Sequence, residues 1–467
     1  MKELTIQEIL DHIPYQEAYI LDDSVQISSV EFDSRKVTEG SLFVPLTGGS
    51  TDGHTYIDKA ISQGASVTFW SSADIEMPAD KVNIIVVEDT LVAFQQLATY
   101  YRQLINPVVV GVTGSNGKTT TKYMTSQVLI AKYHVHKTQG NYNNEIGLPY
   151  TLLQMPAETQ VAVIEMGMSN FGEIEHLSRI AQPNIAAITL IGESHLEFLG
   201  SRQGIAQAKL EILQGLVDGG SFIYPHDEPL IHSEMPTLDK AINCVSFGLS
   251  QAADVYAYDL IEDQNKTFFK TNLDENVMCM IPVMGSYNVT NALIALSVAR
   301  ELQVPMEQAI FQLSRFELTA NRLEWLSMPN GAQVLNDAYN ASPTSMKAVL
   351  KTLSRANIAN QGRKIAVLGD IRELGPESAR YHEEIAGAID VNIIDRVYLF
   401  GPNMIHLYRK LTQDYIPENL FYEEVTHQVL IDRLKADIQS EDIVLVKSSF
   451  GVDLLQVVTA ITGQKTK

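Results

Sequence analysis

Three runs of consecutive apolar residues, rich in β-branched side chains, dominate the middle of the chain. They are Val108–Val112, Val161–Ile164 and Ile185–Ile191. A continuous apolar run is typical of a parallel strand buried on both faces, whereas a strand with one solvated face alternates apolar and polar residues. Stretches of helical character, such as Thr120–Lys132, separate the runs. This alternation of strands and helices predicts a doubly wound parallel sheet.

The residues before this pattern predict a small α/β unit. Ser41–Leu46 has the pattern of a short strand, Ile57–Gly64 that of a helix closed by glycine, and Leu91–Leu104 that of a longer helix. The long helix ends before Pro107, and a proline disfavours helical conformations in the residue that precedes it. We therefore predict a hinge near this proline.

Residues 221–283 contain short strand-like runs with turn residues between them, which predict an antiparallel extension of the central sheet.

A third α/β pattern follows the central one. Beyond Glu317 apolar runs and helical patterns alternate again, as in a dinucleotide-binding fold, but without its G-x-G-x-x-G fingerprint. The predicted strands are Val334–Leu335, Ile365–Leu368, Val397–Phe400 and Ile443–Val446, and the predicted helices include Pro376–Ala388 and Val425–Ala436. We predict three α/β domains, over residues 1–104, 105–316 and 317–467.

Composition narrows the range of functions. The chain has 467 residues, 45% of them apolar, and a formal charge of −22 from 34 basic and 56 acidic residues. Such a charge repels nucleic acid, and no run rich in lysine or arginine offsets it. An anionic substrate would therefore need a discrete cationic pocket, and we expect no nucleic-acid partner.

Cysteine usage and hydropathy indicate a compartment. Cys244 and Cys279 stand in no metal-ligand spacing, and we expect both to be buried thiols of a reducing compartment. No apolar run approaches the ~20 residues of a membrane-spanning helix. Met1–Thr5 lacks the layout of a signal peptide. We expect a soluble cytoplasmic protein that does not insert into a membrane.

A glycine-rich turn, Gly114-Ser115-Asn116-Gly117-Lys118-Thr119-Thr120, joins the first buried strand to a predicted helix. Glycines allow the backbone N–H groups to point inward, and the helix N-terminus favours a bound anion. There, Lys118 would reach the outer phosphates of a nucleotide and the Thr119 hydroxyl would bind Mg²⁺. The strict G-x-x-x-x-G-K-[ST] pattern is not met, because Val112 occupies its first glycine position. A turn that merely joins strand to helix is the alternative, but it leaves Lys118 and Thr119 unexplained.

Chemically suited side chains follow the other two buried runs. Glu165 ends the second run, and His195 follows the third. Ligands bind beyond the carboxyl ends of parallel strands, so both lie on the edge of the sheet that carries the glycine-rich turn. A strand-end carboxylate and a lone histidine are each more often structural, but beside a phosphate site Glu165 suits Mg²⁺. Lys209 lies among apolar neighbours on a predicted helix, where a solvated lysine is the alternative.

Four motifs resemble those of the Mur ligase superfamily of peptidoglycan synthesis. They are T-G-S-N-G-K-T-T (Thr113–Thr120), I-E-M-G (Ile164–Gly167), E-S-H-L-E (Glu193–Glu197) and A-K-L-E-I (Ala208–Ile212). Further stretches are most similar to the branch that adds D-alanyl-D-alanine. They are D-S-R-K-V (Asp33–Val37), G-S-L-F-V-P-L (Gly40–Leu46), D-G-H (Asp52–His54), Thr138–Pro149, Asp337–Met346 and Val367–Gly375.

The resemblance implies a catalytic centre for ATP and Mg²⁺. Lys118 and Thr119 would bind phosphates and one Mg²⁺, while Glu165 and His195 would hold a second. Lys209 aligns with a lysine that family members carbamylate. The modification turns a cation into a carboxylate-like group that can support the metal.

The same resemblance implies the remaining contacts. Asn288 and Asn291 would contact adenine, Arg322 the γ-phosphate and Asp337 the ribose. Arg322 and Asp337 belong to the third domain, so its closure would complete the site. The UDP-linked substrate would contact Arg35, with Ser34 as the second candidate. Asn141 and Asn144 would add further contacts to this substrate.

The implied reaction joins D-Ala-D-Ala to a UDP-MurNAc-tripeptide through an acyl phosphate, and we expect a monomer. Three positions depart from the family pattern and bear on adenine stacking and dipeptide recognition. They are Tyr287 for histidine, Ser342 for asparagine, and Lys447–Phe450 for K-G-S-R. The alternatives are a ligase that adds a single amino acid, a non-catalytic nucleotide-binding regulator, and a simple phosphate-loop kinase, which leaves the outer domains unexplained.

Overall fold

Three sheets follow one another along the chain, each with its own helices. The structure, a computed structural model, describes residues 1–49, 51–263, 265–317, 321–358 and 362–464. Each sheet is mainly parallel, as the continuous apolar runs predict. We call the three parts of the chain the N-terminal, central and C-terminal units.

The N-terminal unit is built on a five-stranded sheet in the order β2-β7-β6-β5-β4, parallel except for β2. A separate pair, β1 and β3, lies beside it. The strands are β1 (Leu4–Thr5), β2 (Glu17–Tyr19), β3 (Gln26–Ile27), β4 (Ser29–Glu31), β5 (Ser41–Phe43), β6 (Ala65–Trp70) and β7 (Asn83–Val86). The helices are α1 (Ile6–His12), α2 (Ile57–Ser62) and α3 (Thr90–Ile105). The three elements predicted here therefore exist, with ends that differ by one to three residues.

The central unit contains a nine-stranded sheet in the order β16-β15-β14-β13-β12-β11-β8-β10-β9. The strands are β8 (Val108–Thr113), β9 (Val135–Lys137), β10 (Val161–Glu165), β11 (Ile185–Ile188), β12 (Ser221–Pro225), β13 (Asn243–Gly248), β14 (Val255–Asp263), β15 (Lys266–Thr271) and β16 (Asp274–Ile281). The helices are α4 (Lys118–Leu129), α5 (Gly147–Leu153), α6 (Glu173–Ala181), α7 (Leu196–Leu199), α8 (Arg202–Leu210), α9 (Pro229–Ser233), α10 (Ser286–Glu301) and α11 (Met306–Leu313).

Burial on both faces explains the continuous apolar runs of this sheet. Val110 and Val112 of β8 belong to one apolar cluster, with α4 and α10, whereas Val109 belongs to a second cluster with α3 and α6. Successive side chains of a strand point to opposite faces, and each face of β8 packs against one of these two clusters. β8 pairs with β10 on one side and with β11 on the other, and all three strands end at the same edge of the sheet.

Two expectations for this unit require correction. Only β15 and β16 form an antiparallel extension; β12, β13 and β14 continue the parallel sheet. Strand direction is set by the connections between strands, which short apolar runs do not encode. Cys279 is buried as expected, but Cys244 is exposed because it lies at the solvated beginning of β13.

The C-terminal unit has a six-stranded sheet in the order β17-β18-β22-β19-β20-β21, and only β17 is antiparallel. The strands are β17 (Glu324–Ser327), β18 (Gln333–Asn336), β19 (Lys364–Gly369), β20 (Arg396–Phe400), β21 (Leu420–Glu423) and β22 (Ile443–Lys447). The helices are α12 (Pro343–Arg355), α13 (Ser378–Glu384), α14 (Met404–Leu411), α15 (His427–Asp437) and α16 (Leu455–Thr462). All four predicted strands are present. In the described part of the chain, no helix is long and apolar enough to cross a membrane.

Helix α3 attaches the N-terminal unit to the central one. It begins at the N-cap Asp89, whose carboxylate accepts two backbone N–H bonds, and it ends at Asn106 in the left-handed conformation. From its last turn the buried Arg102 donates to the carbonyl oxygens of Ala181 and Gln182, each at 3.0 Å. These carbonyls end α6 and would otherwise lack partners.

We expect Arg102→Ala to lower the free energy of unfolding by about 2–3 kcal/mol, because two buried carbonyls lose charge-assisted hydrogen bonds. Urea denaturation of the full chain measures this. The matched control is Arg179→Ala on α6, since Arg179 is exposed and, among the described residues, pairs with Glu175 alone, one turn away. Its removal should change stability by less than ~1 kcal/mol. Equal losses for the two variants would contradict the attachment role of Arg102.

Candidate active site

A cavity of about 710 Å³ opens at the edge where β8 and β10 end, between the central and C-terminal units. Both units contribute to its wall. The lining from the central unit includes Ser115–Thr120, Asn141, Asn143, Asn144, Glu165, Glu173, His195, Tyr287, Asn288 and Asn291. The lining from the C-terminal unit includes Arg322, Asp337, Tyr339, Asn340, Thr344, Ser345 and Lys447. Most residues singled out in the sequence thus share one cavity.

The glycine-rich turn lies between the end of β8 and the first residue of α4. Gly114 and Gly117 have φ angles of +145° and +83°. A Cβ atom at Gly114 would lie 1.9 Å from Thr189 Oγ1, and one at Gly117 would lie 2.6 Å from Asn291 Oδ1. Both positions therefore require glycine for space as well as for conformation.

Lys118 begins α4 and folds back over the turn. Its ammonium donates to the carbonyl oxygen of Gly114 at 2.8 Å. Burial lowers the pKa of Lys118, and the charge of Glu165 opposes this effect. The result is a cation held above a loop of backbone N–H groups, which is an anion-binding arrangement.

Glu165, at the end of β10, is the carboxylate nearest this turn. Its Oε1 accepts hydrogen bonds from Asn143 Nδ2 at 2.9 Å and from Thr119 Oγ1 at 3.3 Å. Its backbone N–H donates to Thr138 Oγ1 at 3.0 Å. The Thr119 hydroxyl and the Glu165 carboxylate therefore meet, as the sequence predicts.

Lys122 is a central member of this cluster that the sequence analysis missed. Its Nζ lies 3.0 Å from Glu165 Oε2, an ion pair without hydrogen-bond alignment, and donates to the Gly140 carbonyl at 2.9 Å. Burial raises the pKa of Glu165, but the charges of Lys122 and Lys118 outweigh burial and the pKa is lowered overall. The i, i+4 spacing of the two lysines on α4, both on the face toward β10, could have indicated this role.

His195 reaches the same cavity from the segment between β11 and α7. It has a φ angle of +64° and caps the N-terminus of α7. Its Nδ1 lies 2.7 Å from Glu373 Oε2 of the C-terminal unit, close enough for an ion pair but off the line of a hydrogen bond. Sequence reasoning did not anticipate Glu373.

Lys209 lies on α8 behind the cavity wall and is buried. Among the described residues its ammonium has no hydrogen bond and no ion pair. Burial and the charge of Lys118 hold the pKa of Lys209 well below its usual range. Its place in the catalytic centre therefore stays a prediction.

The opposite wall carries the groups expected to hold the nucleoside. Asn288 and Asn291 are buried on α10, with Asn288 donating to the Met284 carbonyl at 2.7 Å and Asn291 donating to Asn288 Oδ1 at 3.3 Å. Tyr287 precedes them and lines the cavity, and burial raises the pKa of its phenol. The position that departs from the family pattern therefore lies at this wall.

Arg322 and Asp337 enter from the C-terminal unit. The Arg322 guanidinium lies 4.3 Å from the centre of the Tyr339 ring and donates to Thr119 Oγ1 at 3.2 Å. Asp337 pairs with Lys447 Nζ at 2.5 Å and accepts the Leu323 N–H. Lys447, noted in the sequence only as part of a departure, thus holds a predicted site carboxylate.

Two hydroxyl groups at the beginning of α12 also contact the central unit. Ser342 caps this helix, and its hydroxyl donates to Asn116 Oδ1 at 2.8 Å. Thr344 donates from its hydroxyl to Glu193 at 2.8 Å. The unit that carries Arg322 is therefore fastened directly to the glycine-rich turn.

Ser34 and Arg35 lie in the N-terminal unit and do not line this cavity. Ser34 is buried, whereas Arg35 is exposed and pairs with Asp33 at 2.7 Å. Asn141 and Asn144 do line the cavity, and Asn144 Oδ1 accepts the Gly147 N–H at 2.9 Å. The predicted contacts for the UDP-linked substrate are therefore split between two units.

The donors around Glu165 fit a magnesium ion carried by a nucleotide. Mg²⁺ usually binds one or two carboxylates together with substrate phosphates and waters, not a closed cage of side chains. In keeping with this, the described residues contain no group of three or more His, Cys, Asp and Glu side chains placed to hold a metal. The hard oxygens of Thr119 and Glu165 beside the anion-binding turn meet the requirement.

Comparison with known protein families agrees with this architecture. The Mur ligase family catalytic domain matches residues 26–102, the Mur ligase middle domain matches residues 112–299, and the Mur ligase glutamate ligase domain matches residues 321–450. Together these matches span the three sheets. The chain therefore belongs to the Mur ligase family.

Curated relatives share one name, UDP-N-acetylmuramoyl-tripeptide–D-alanyl-D-alanine ligase. The chain is 39% identical to that of Bacillus subtilis over 459 residues, covering 98% of each chain. It is 31% identical to that of Escherichia coli over 450 residues, covering 95% of each chain.

Solved structures that carry the name MurF are also similar. A MurF structure from Acinetobacter baumannii superimposes with a TM-score of 0.87 at 27% identity, covering 99% of this chain and 100% of that one. The MurF ligase of Thermotoga maritima in complex with ADP gives a TM-score of 0.80 at 28% identity, covering 94% and 97%.

We expect Gly117→Ala to weaken ADP binding by about tenfold or more, because its methyl group must displace Asn291 and because the left-handed conformation costs ~1–2 kcal/mol. Isothermal titration calorimetry with ADP measures the change. Gly219→Ala is the matched control, since Gly219 has a φ of +72° but open space around its Cβ position. Loss of affinity in the control alone, or in both equally, would argue against the steric role of Gly117.

Proposed function

We propose that this chain is an ATP-dependent ligase that joins D-alanyl-D-alanine to a UDP-N-acetylmuramoyl-tripeptide. The observation that carries the proposal is the single cavity shared by the Lys118 turn, Glu165, His195 and Arg322. The curated relatives in Bacillus subtilis and Escherichia coli bear the name of this activity, and MurF structures share the fold. An amide-forming ligase needs such a cavity because one site must hold a nucleotide, a carboxylate and an amine together.

ATP would lie across the cavity with its phosphates at the turn. The backbone N–H groups of residues 116–120 and the Lys118 ammonium would hold the phosphates, whereas the Ser115 N–H is bonded to the Leu190 carbonyl. Arg322 would reach the γ-phosphate, and Asp337 the ribose. Adenine would lie against Asn288 and Asn291, with Tyr287 as a flat partner in place of the histidine of the family pattern. The T. maritima relative, which was solved with ADP, supports ATP as the nucleotide.

Mg²⁺ would be held by Thr119 and Glu165 at one site and by Glu165, His195 and modified Lys209 at a second. When bound it neutralises charge on the transferring phosphoryl group. Glu165 suits this role because its lowered pKa keeps it ionised at neutral pH.

Lys209 is suited to carbamylation. CO₂ reacts with a neutral amine, and the lowered pKa of Lys209 favours that form at neutral pH. The product is an anion, which the positive charge of Lys118 would stabilise.

The reaction would proceed in two steps. A carboxylate oxygen of the tripeptide attacks the γ-phosphorus, the bond to ADP breaks, and an acyl phosphate forms. The amine of D-Ala-D-Ala then attacks the carbonyl carbon; phosphate leaves, and the amine loses a proton as the amide forms. Lys118 and Arg322 would stabilise the phosphoryl oxygens, and the closed C-terminal unit would keep water from the acyl phosphate.

The N-terminal unit would bind the UDP portion of the tripeptide substrate through Arg35 and Ser34. Asn141 and Asn144 would continue this path into the cavity. We retain the domain boundaries 1–104, 105–316 and 317–467, a monomeric state and a cytoplasmic location as predictions. Size-exclusion chromatography and cell fractionation test the last two.

Purified protein should form ADP only when ATP, the UDP-tripeptide and D-Ala-D-Ala are all present, since the acyl phosphate turns over only by aminolysis. A coupled ADP assay measures this, and mass spectrometry identifies the amide. L-Lysine and diaminopimelate, offered in place of the dipeptide, test the ligase that adds a single amino acid. Nucleotide binding without any turnover would instead support the regulator, and ADP formation at an equal rate without an amine would refute the ligase.

Lys209→Ala should reduce kcat by at least about a hundredfold, and a short free carboxylic acid such as acetate should restore part of the activity by replacing the carbamate. The control is Lys118→Ala, in which a lost cation cannot be replaced by an anion. Rescue of both variants, or of neither, would contradict the proposed carbamate.

A further inference from the structure

Residues 373–375 of the C-terminal unit dock on residues 195–197 of the central unit. The Glu373 carbonyl accepts the Glu197 N–H at 3.0 Å, and Gly375 packs so closely on Glu197 that a Cβ there would lie 3.3 Å from its Cα. Glu373 and His195 both adopt left-handed φ angles, +62° and +64°. Such conformations are uncommon outside glycine and persist only where surrounding contacts fix them. The two side chains are therefore brought together by a defined backbone arrangement.

The docking occupies one nitrogen of the imidazole. His195 Nδ1 lies 2.7 Å from Glu373 Oε2. Among the described residues this is the one ion pair made by the His195 ring. With Nδ1 turned to the carboxylate, Nε2 is the nitrogen left for a ligand in the cavity that His195 lines.

A carboxylate against one ring nitrogen has a known effect on a metal-ligating histidine. It fixes the tautomer and the ring orientation and raises the basicity of the other nitrogen. Glu373 lies in this position, with its Oε2 2.7 Å from His195 Nδ1. It comes from the C-terminal unit, whereas His195 belongs to the central unit.

We propose that Glu373 is a positioning residue, which orients His195 for the metal only when the C-terminal unit is closed. This inference rests on the proposed function, in which His195 holds the second Mg²⁺. It extends that function by linking closure to the metal site: the same movement that brings Arg322 to the γ-phosphate also sets the ring of His195.

Mn²⁺ titration of the full chain with a non-hydrolysable ATP analogue, followed by EPR, tests the proposal through binding alone. Glu373→Ala should weaken the second Mn²⁺ site by roughly tenfold or more and leave the first within twofold. Glu373→Gln, which keeps an oxygen beside Nδ1 but loses the negative charge, should fall between Glu373→Ala and the unaltered chain. Glu377→Gln is the matched control, because Glu377 lies four residues further on and, in the part of the chain that the structure describes, pairs with Arg380 alone.

Two further variants distinguish failure of this inference from failure of the proposed function. Thr344→Val removes the hydroxyl bonds to Glu193 without touching His195, while the Thr344 N–H still donates to Glu193, and it should leave both Mn²⁺ affinities within twofold. If Thr344→Val weakens the second Mn²⁺ site as much as Glu373→Ala does, closure of the C-terminal unit alone explains the loss and the positioning role of Glu373 is refuted. His195→Ala should lose the second site. If it does so while Glu373→Ala has no effect, only this inference fails. If His195→Ala itself changes nothing, the metal assignment of the proposed function fails and the inference with it.

Discussion

The compensation of one buried carboxylate organises this protein. Glu165 ends a strand that is buried on both faces, and an unpaired charge there would be costly. Lys122 and Lys118 supply the opposing charge, and Asn143 and Thr119 supply hydrogen bonds. Because the two lysines lie on α4, the same contacts fix the first turn of that helix, where the anion-binding loop ends. The residues that neutralise the buried carboxylate therefore also fix the geometry of the nucleotide site.

Three α/β units are needed because no single sheet edge can enclose all the reactants. The central edge supplies phosphate and metal groups, but it is open on the side facing the C-terminal unit. Arg322, Asp337 and Lys447 close that side, and α12 reaches the turn through Ser342. An acyl phosphate formed in such an enclosure would meet an amine before it meets water.

The sequence was sufficient to predict the parts of this arrangement that depend on local pattern. The β-branched runs identified β8, β10 and β11, and the strand-end rule brought Glu165 and His195 to the glycine-rich turn. Roles that depend on tertiary contact were not accessible in the same way. Lys122 reads as one more polar residue of α4 until β10 is placed beside it, and Glu373 lies far from His195 in the chain. Strand direction over residues 221–283 was likewise decided by connections and not by the strands.

The central unit meets the N-terminal and C-terminal units at two junctions, which differ in how readily water can replace the hydrogen bonds across them. On the N-terminal side, Arg102 and Tyr101 bond from within the core to Ala181, Gln182 and Met155. On the C-terminal side, Thr344 bonds to Glu193 at the surface, where hydration substitutes for a broken contact at little expense. We therefore expect the units to separate first on the C-terminal side, whereas the N-terminal junction, beside the hinge predicted near Pro107, keeps its buried hydrogen bonds.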